Sequence, residues 1–147
     1  MSFGPAAASI DPRFPRITDS QPCPCGTQAT FGECCAPLHR GAVAPSPERL
    51  MRSRYSAFVV GNARYLADTW HPRTLPDDLV LDPDQRWEGL EVSEASEDGA
   101  QGIVRFRAFW RYSSERGILA ETSRFRRVGS RWYYLDGDVG DQGAHAD

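Results

Sequence analysis

The sequence predicts an α+β protein: a small cysteine-centred knuckle, then two helices packed on a curved, mainly antiparallel sheet of four strands or more. Three observations point there. All four cysteines of the 147-residue chain fall between positions 23 and 35. From Ser46 to Trp70 apolar side chains recur at helical spacing, and from Arg86 onward the period drops to two. Helices that precede a run of strands, rather than alternating with them, give the α+β layout.

Residues 1–21 are rich in Ala, Pro and Ser and show no periodicity, which predicts a flexible leader with Phe14 or Ile17 as local anchors. The module, 22–41, carries Cys23-Pro24-Cys25-Gly26 and then Cys34-Cys35. Four clustered thiols match a closed tetrahedral zinc site, and soft sulfur donors favour zinc or iron over magnesium or calcium. The competing readings are idle thiols or two local disulfides, and bridges across C-x-C or adjacent cysteines are strained. Adjacent side chains diverge in a strand, so a turn or helix start is expected at Cys34-Cys35. His39, four residues beyond Cys35, could replace one cysteine as a ligand.

The main domain spans 45–139. Ser46 is a suitable N-cap, Pro47 suits the first helical position and Glu48 complements the positive helix end. Met51, Tyr55, Phe58 and Val59 follow with helical spacing, and Gly61-Asn62 stops the helix. A shorter helix runs from Ala63 to Trp70, ended by His71-Pro72. Arg73 to Gln85 reads as a loop. Strands are predicted at Trp87–Ser93, Gly102–Tyr112, Ile118–Val128 and Arg131–Leu135. The second alternates most clearly, with Val104, Phe106, Ala108 and Trp110 against Arg105, Arg107 and Arg111. Residues 140–147 read as a flexible acidic tail.

Cys-Pro-Cys-Gly followed by Cys-Cys resembles the SEC-C motif, the metal-binding module at the C-terminus of SecA. Leu50-Met51-Arg52-Ser53-Arg54-Tyr55-Ser56-Ala57-Phe58 resembles the YchJ family, as do Thr69-Trp70-His71-Pro72, Ser123-Arg124-Phe125 and Trp132-Tyr133-Tyr134 with Asp136-Gly137. The resemblance implies a SEC-C module followed by a nuclear-transport-factor-2-like, cone-shaped domain. It also implies protein partners in export or nascent-chain handling, met through the module. Two departures stand out. Thr27-Gln28-Ala29 replaces the usual Ser-Gly-Lys, and the second C-terminal motif of many members is not visible.

A charged fraction of 25% with 40% hydrophobic residues describes a globular chain, and a net charge of −3 argues against a nucleic-acid footprint. No apolar run is long enough to span a membrane, and no signal-peptide pattern opens the chain, so the expected compartment is the cytoplasm. Its reducing conditions favour metal over disulfides. Every one of the 17 basic residues is arginine, which removes lysine-based chemistry. A cone can hold a small molecule. Glu121 shares its strand face with Leu119 and Phe125, so it is expected to face inward, and an inward carboxylate needs a partner. Arg52, Arg54 and Arg124 are the candidates, and a buried ion pair is preferred to a general base or ligand anchor. Glu121 and His71 are the acid–base candidates should the cone be catalytic. The leading reading is a non-enzymatic zinc-binding protein, and an enzyme or small-molecule binder is the alternative. Iron in the cysteine site would make it redox-active.

Overall fold

The computed structural model describes residues 11–140. The expected leader before residue 11 and the tail beyond 140 lie outside them. Residues 11–21 form defined turns in which Phe14 is buried against Gly61, the left-handed cap of the long helix. A 3₁₀ turn at Phe31–Glu33 leads into a short helix, α1 (Ala36–His39). The long helix α2 (Pro47–Val60) starts where expected. Ser46 Oγ accepts a hydrogen bond from the Arg49 N–H, and Gly61 closes the helix at φ 75°, a conformation that favours glycine. Helix α3 (Ala63–Asp68) is capped by Asn62, whose Oδ1 accepts from the Tyr65 N–H.

Four strands follow: β1 (Gln85–Asp98), β2 (Gln101–Tyr112), β3 (Glu115–Val128) and β4 (Arg131–Val139). They pair in sequence order as one antiparallel meander. β1 runs past the predicted Ser93 because the polar stretch Glu94–Asp98 stays in register with Gln101–Arg105. β4 runs past Leu135 because 136–139 pair with 121–124. Both extensions are polar, so the hydrophobic pattern carried no signal for them. Register shifts between Trp87 and Gly89, between Val92 and Glu94, and opposite Arg124 and Phe125 bend the sheet around the helices.

The concave face receives α2. The outer edge of β4 is not left bare. Trp70 bridges to Tyr134 in parallel fashion, with the His71 N–H donating to the Tyr134 carbonyl and the Tyr134 N–H to the Thr69 carbonyl, each at 2.8 Å. One contiguous buried cluster joins Leu50, Leu66, Val104, Phe125 and Trp132 to Phe31, Leu38 and all four cysteines. The module and the main domain therefore share a core.

β2 passes close to the start of α2 at Gly102, where any Cβ would collide with the Pro47 ring and press on Trp132. Gly102→Val should therefore cost stability despite valine's strand preference, by roughly 1–3 kcal/mol as for other overpacked sites. A urea midpoint at or above the parent's would contradict this close approach.

Candidate metal centre and cone cavity

A small hairpin-like turn builds the module. The Cys23 N–H donates to the Ala29 carbonyl and the Phe31 N–H to the Gln21 carbonyl, which sets the first cysteine pair beside the second. Gly26 turns the chain at φ 87°, folding Cys25 back over Cys23. Cys34 ends the 3₁₀ turn and Cys35 is the N-cap of α1, so both side chains point to one spot. The four Sγ atoms lie within 4.8 Å of one another, and all four cysteines are buried and free of disulfides.

These positions fit a tetrahedral ion. A metal–sulfur distance of about 2.3 Å gives an Sγ–Sγ edge of about 3.8 Å. Cys25 to Cys34 is 3.6 Å and Cys34 to Cys35 is 3.9 Å. Hydroxyls from Ser56, 3.6 Å from Cys23 Sγ, and Thr27, 3.1 Å from Cys34 Sγ, surround the sulfurs. Arg49 donates to the Cys34 carbonyl at 2.9 Å and Arg52 to the Cys25 carbonyl at 2.8 Å, so two guanidinium groups from α2 sit against the cluster. Such placement suits a centre in which four thiolates outweigh a divalent cation. His39 stands apart. Its Nε2 bonds the Ser53 carbonyl at 2.8 Å, and its ring lies between Phe31 and Tyr65. Burial pushes its pKa down, so the neutral ring serves as a strut between α1 and α2.

The second feature is a cavity of about 250 Å³ between α2 and the sheet. Aromatic and aliphatic side chains form most of its wall, with Arg54 and Glu121 as its charged groups and Ser123, Tyr55 and Tyr134 as its hydroxyl-bearing ones. Arg54 is only 3% exposed. Its Nη1 donates to the Leu66 carbonyl at 2.9 Å and to Thr69 Oγ1 at 2.7 Å, and its guanidinium lies over the rings of Trp70 and Tyr134. Burial pushes its pKa down to about 10, which leaves it charged at neutral pH.

Glu121 does not form the expected ion pair. Ser123 Oγ and the Tyr134 hydroxyl donate to its Oε2 at 2.7 and 3.0 Å. Of the three candidate arginines, Arg52 pairs with Glu48 and Arg124 with Asp136 and Asp138. Arg54 shares the cavity but, among the described residues, none reaches the carboxylate within ion-pair distance. Burial and the neighbouring carboxylate push the Tyr134 phenol up, so it stays a donor. Gly137, opposite Ser123 in the ladder, provides the space that the Glu121 carboxylate occupies. His71 and Glu121 are not brought together. His71 Nδ1 accepts from the Arg73 N–H, its ring lies against Tyr133, and it does not line the cavity.

Ser123 and Gly137 escaped the sequence reading as site residues, and Tyr134 read most simply as core or as part of a pocket mouth. Ser123 follows Glu121 by two on the same strand face, a signal that was available. Tyr134 and Gly137 depend on the β3–β4 register, which was not.

Without metal, the neighbouring Cys23 sulfur and then burial push Cys25 up to about 11 and Cys35 upward too, while hydrogen bonds from those two thiols hold Cys23 down. Metal binding must then expel thiol protons. Affinity should weaken steeply as pH falls from 8 to 5, read by competition with a chromophoric chelator. Stripping the metal should raise amide exchange in 22–40 and in the α2 segment that bonds the module, while the four strands stay protected. A pH-independent affinity, or loss of the sheet on chelation, would contradict this account.

Residues 20–37 match the SEC-C motif, and residues 46–137 match the family described as YchJ, middle NTF2-like domain. A UPF0225 protein of Streptomyces coelicolor is 50% identical over 124 residues, which cover 82% of this chain and 97% of that protein. A UPF0225 protein of Corynebacterium glutamicum is 46% identical over 80% of this chain and 96% of its own length. Among solved structures, a SEC-C motif containing protein from Rhodopseudomonas palustris superposes with a TM-score of 0.72 at 33% identity, covering 81% of this chain and 98% of that one. Another, from Psychrobacter arcticus, does so with a TM-score of 0.68 at 28% identity, covering 84% and 85%. With its cysteine motif and its cone-shaped domain both matched, the chain belongs to the YchJ family, also called UPF0225.

Proposed function

We propose that this chain is a non-catalytic protein that binds a small molecule in its cone and is stapled by a structural zinc ion at Cys23, Cys25, Cys34 and Cys35. One observation carries the first half: the cone holds an open cavity in which Ser123 and Tyr134 hold the Glu121 carboxyl inward, with no arginine among the described residues within ion-pair distance of it. A structural ion pair would have closed that gap. The acid–base pair the sequence offered does not form, because His71 stands away from the cavity that holds Glu121.

Zinc is favoured by the donor set. Four buried thiols leave no open position for substrate, as in structural centres. Free thiols at these distances also suit a reducing compartment, which supports a cytoplasmic setting. No helix among the described residues is long and apolar enough to cross a membrane. In the module, the loop Gly26–Gln28 is exposed and is where a protein partner, of the export or nascent-chain kind the motif implies, would meet it.

Two measurements test the proposal. Elemental analysis of protein purified without chelator should find one zinc per chain, and a coloured protein with iron absorption would replace zinc by iron. Glu121→Gln should leave the melting temperature equal to or above the parent's, within roughly 1 kcal/mol, because residues kept for binding do not serve stability. A clear loss of stability would return Glu121 to a structural role.

A further inference from the structure

The walls of the cone carry more polar capacity than they use among themselves. Glu121 Oε2 receives two hydrogen bonds, while Oε1 receives none among the described residues. On Arg54, Nη1 makes both hydrogen bonds, and Nε and Nη2 make none among the described residues. An acceptor and a donor of opposite charge thus line one apolar cavity without meeting each other. Groups in that condition gain most from a ligand that completes both, since unmet polar groups in such surroundings are costly.

We propose that the cone binds a small, uncharged, flat molecule whose polar edge places an N–H or O–H donor beside a carbonyl-type acceptor, the donor meeting Glu121 and the acceptor meeting Arg54. This rests on the ligand-binding reading above and names the class of ligand. The charge argument is direct. A carboxylate ligand would gain Arg54 but face Glu121 across a low-dielectric space, and an ammonium ligand would gain Glu121 but face Arg54. A neutral donor–acceptor edge opposes neither. The size argument follows from the volume. About 250 Å³ lies below the range of about 300–1,000 Å³ usual for drug-sized ligands, so a ring with one substituent fits and a nucleotide does not. The shape argument comes from the walls. Phe58, Trp87 and Phe106 present ring surface to the cavity, which suits an aromatic or otherwise planar body.

Benzamide, benzoate and benzylammonium test this, because they share one ring and differ chiefly in charge. Binding to the intact chain is read from the indole N–H signals of Trp70 and Trp87, both in the cavity wall. Benzamide should bind at least about tenfold more tightly than either ion, a difference of about 1.4 kcal/mol. In Glu121→Gln, Arg54 is left unopposed, so benzoate should strengthen and overtake benzamide. Ala108→Leu, which fills the cavity from β2, should weaken all three while the protein stays folded. A charged probe binding tightest to the parent chain overturns the ligand class and leaves the binding reading standing. That ranking needs no variant. Benzoate failing to gain in Glu121→Gln overturns the pairing of ligand poles with Arg54 and Glu121. Silence from all three probes, or binding indifferent to Ala108→Leu, overturns the binding reading and this inference with it.

Discussion

Helix α2 lies between the cysteine module on one face and the cavity on another, with α3 packed beside it. Arg49, Arg52, Ser53 and Ser56 meet the cysteine module, through side chains or, for Ser53, its carbonyl. Met51, Arg54, Tyr55 and Phe58 line the cavity. Each set follows the i, i+3, i+4, i+7 spacing of one helix face, and the two are offset by two residues, about 200° around the axis. The helix is therefore a party wall between the cysteine module and the cone cavity. Its position is constrained from both sides, and a shift toward one is a shift away from the other. That is how a module of some twenty residues becomes part of the main core instead of hanging beside it.

The constraint explains why arginine recurs along this helix. On the module side, Arg49 and Arg52 do two jobs with one group: the planar fork reaches backbone carbonyls of Cys34 and Cys25 while its charge lies against the thiol cluster. On the cavity side, Arg54 is buried, and burying a charge costs several kcal/mol unless it is compensated. Two hydrogen bonds and the faces of Trp70 and Tyr134 offset that cost. A lysine ammonium would lack the fork for the first role and the flat stacking surface for the second.

The sheet is shaped to keep the cone open. Its bulges curl it about α2, and the segment after α3 seals the β4 edge, so the cavity is bounded by paired backbone. Within it, glycine at 137 lets the Glu121 carboxylate lie flat across β4 to reach Tyr134. The polar elements of the cavity thus depend on an absent side chain on one strand as much as on those present on the next.

The sequence by itself determined the helices, the strand order and the cysteine cluster. Ser46, Gly61 and Asn62 act within a few residues of the backbone they cap, and Cys23, Cys25, Cys34 and Cys35 fall within one short turn-rich segment, so local chemistry sufficed. Alternation along β2 likewise placed Val104, Phe106 and Ala108 inside. What lay beyond reach was every relation across strands or between elements. Whether Glu121 met Arg54 or Tyr134 turned on the β3–β4 register and a bulge at Leu135, and a one-residue slip would have changed the answer. His39 looked like a ligand by its spacing from Cys35, yet the carbonyl of Ser53, brought near only when α1 docked on α2, took its ring nitrogen. Helical and strand periods are written in neighbouring residues, whereas a cavity is the space left after distant ones have packed, and only the tertiary structure decides which polar groups remain free to face it.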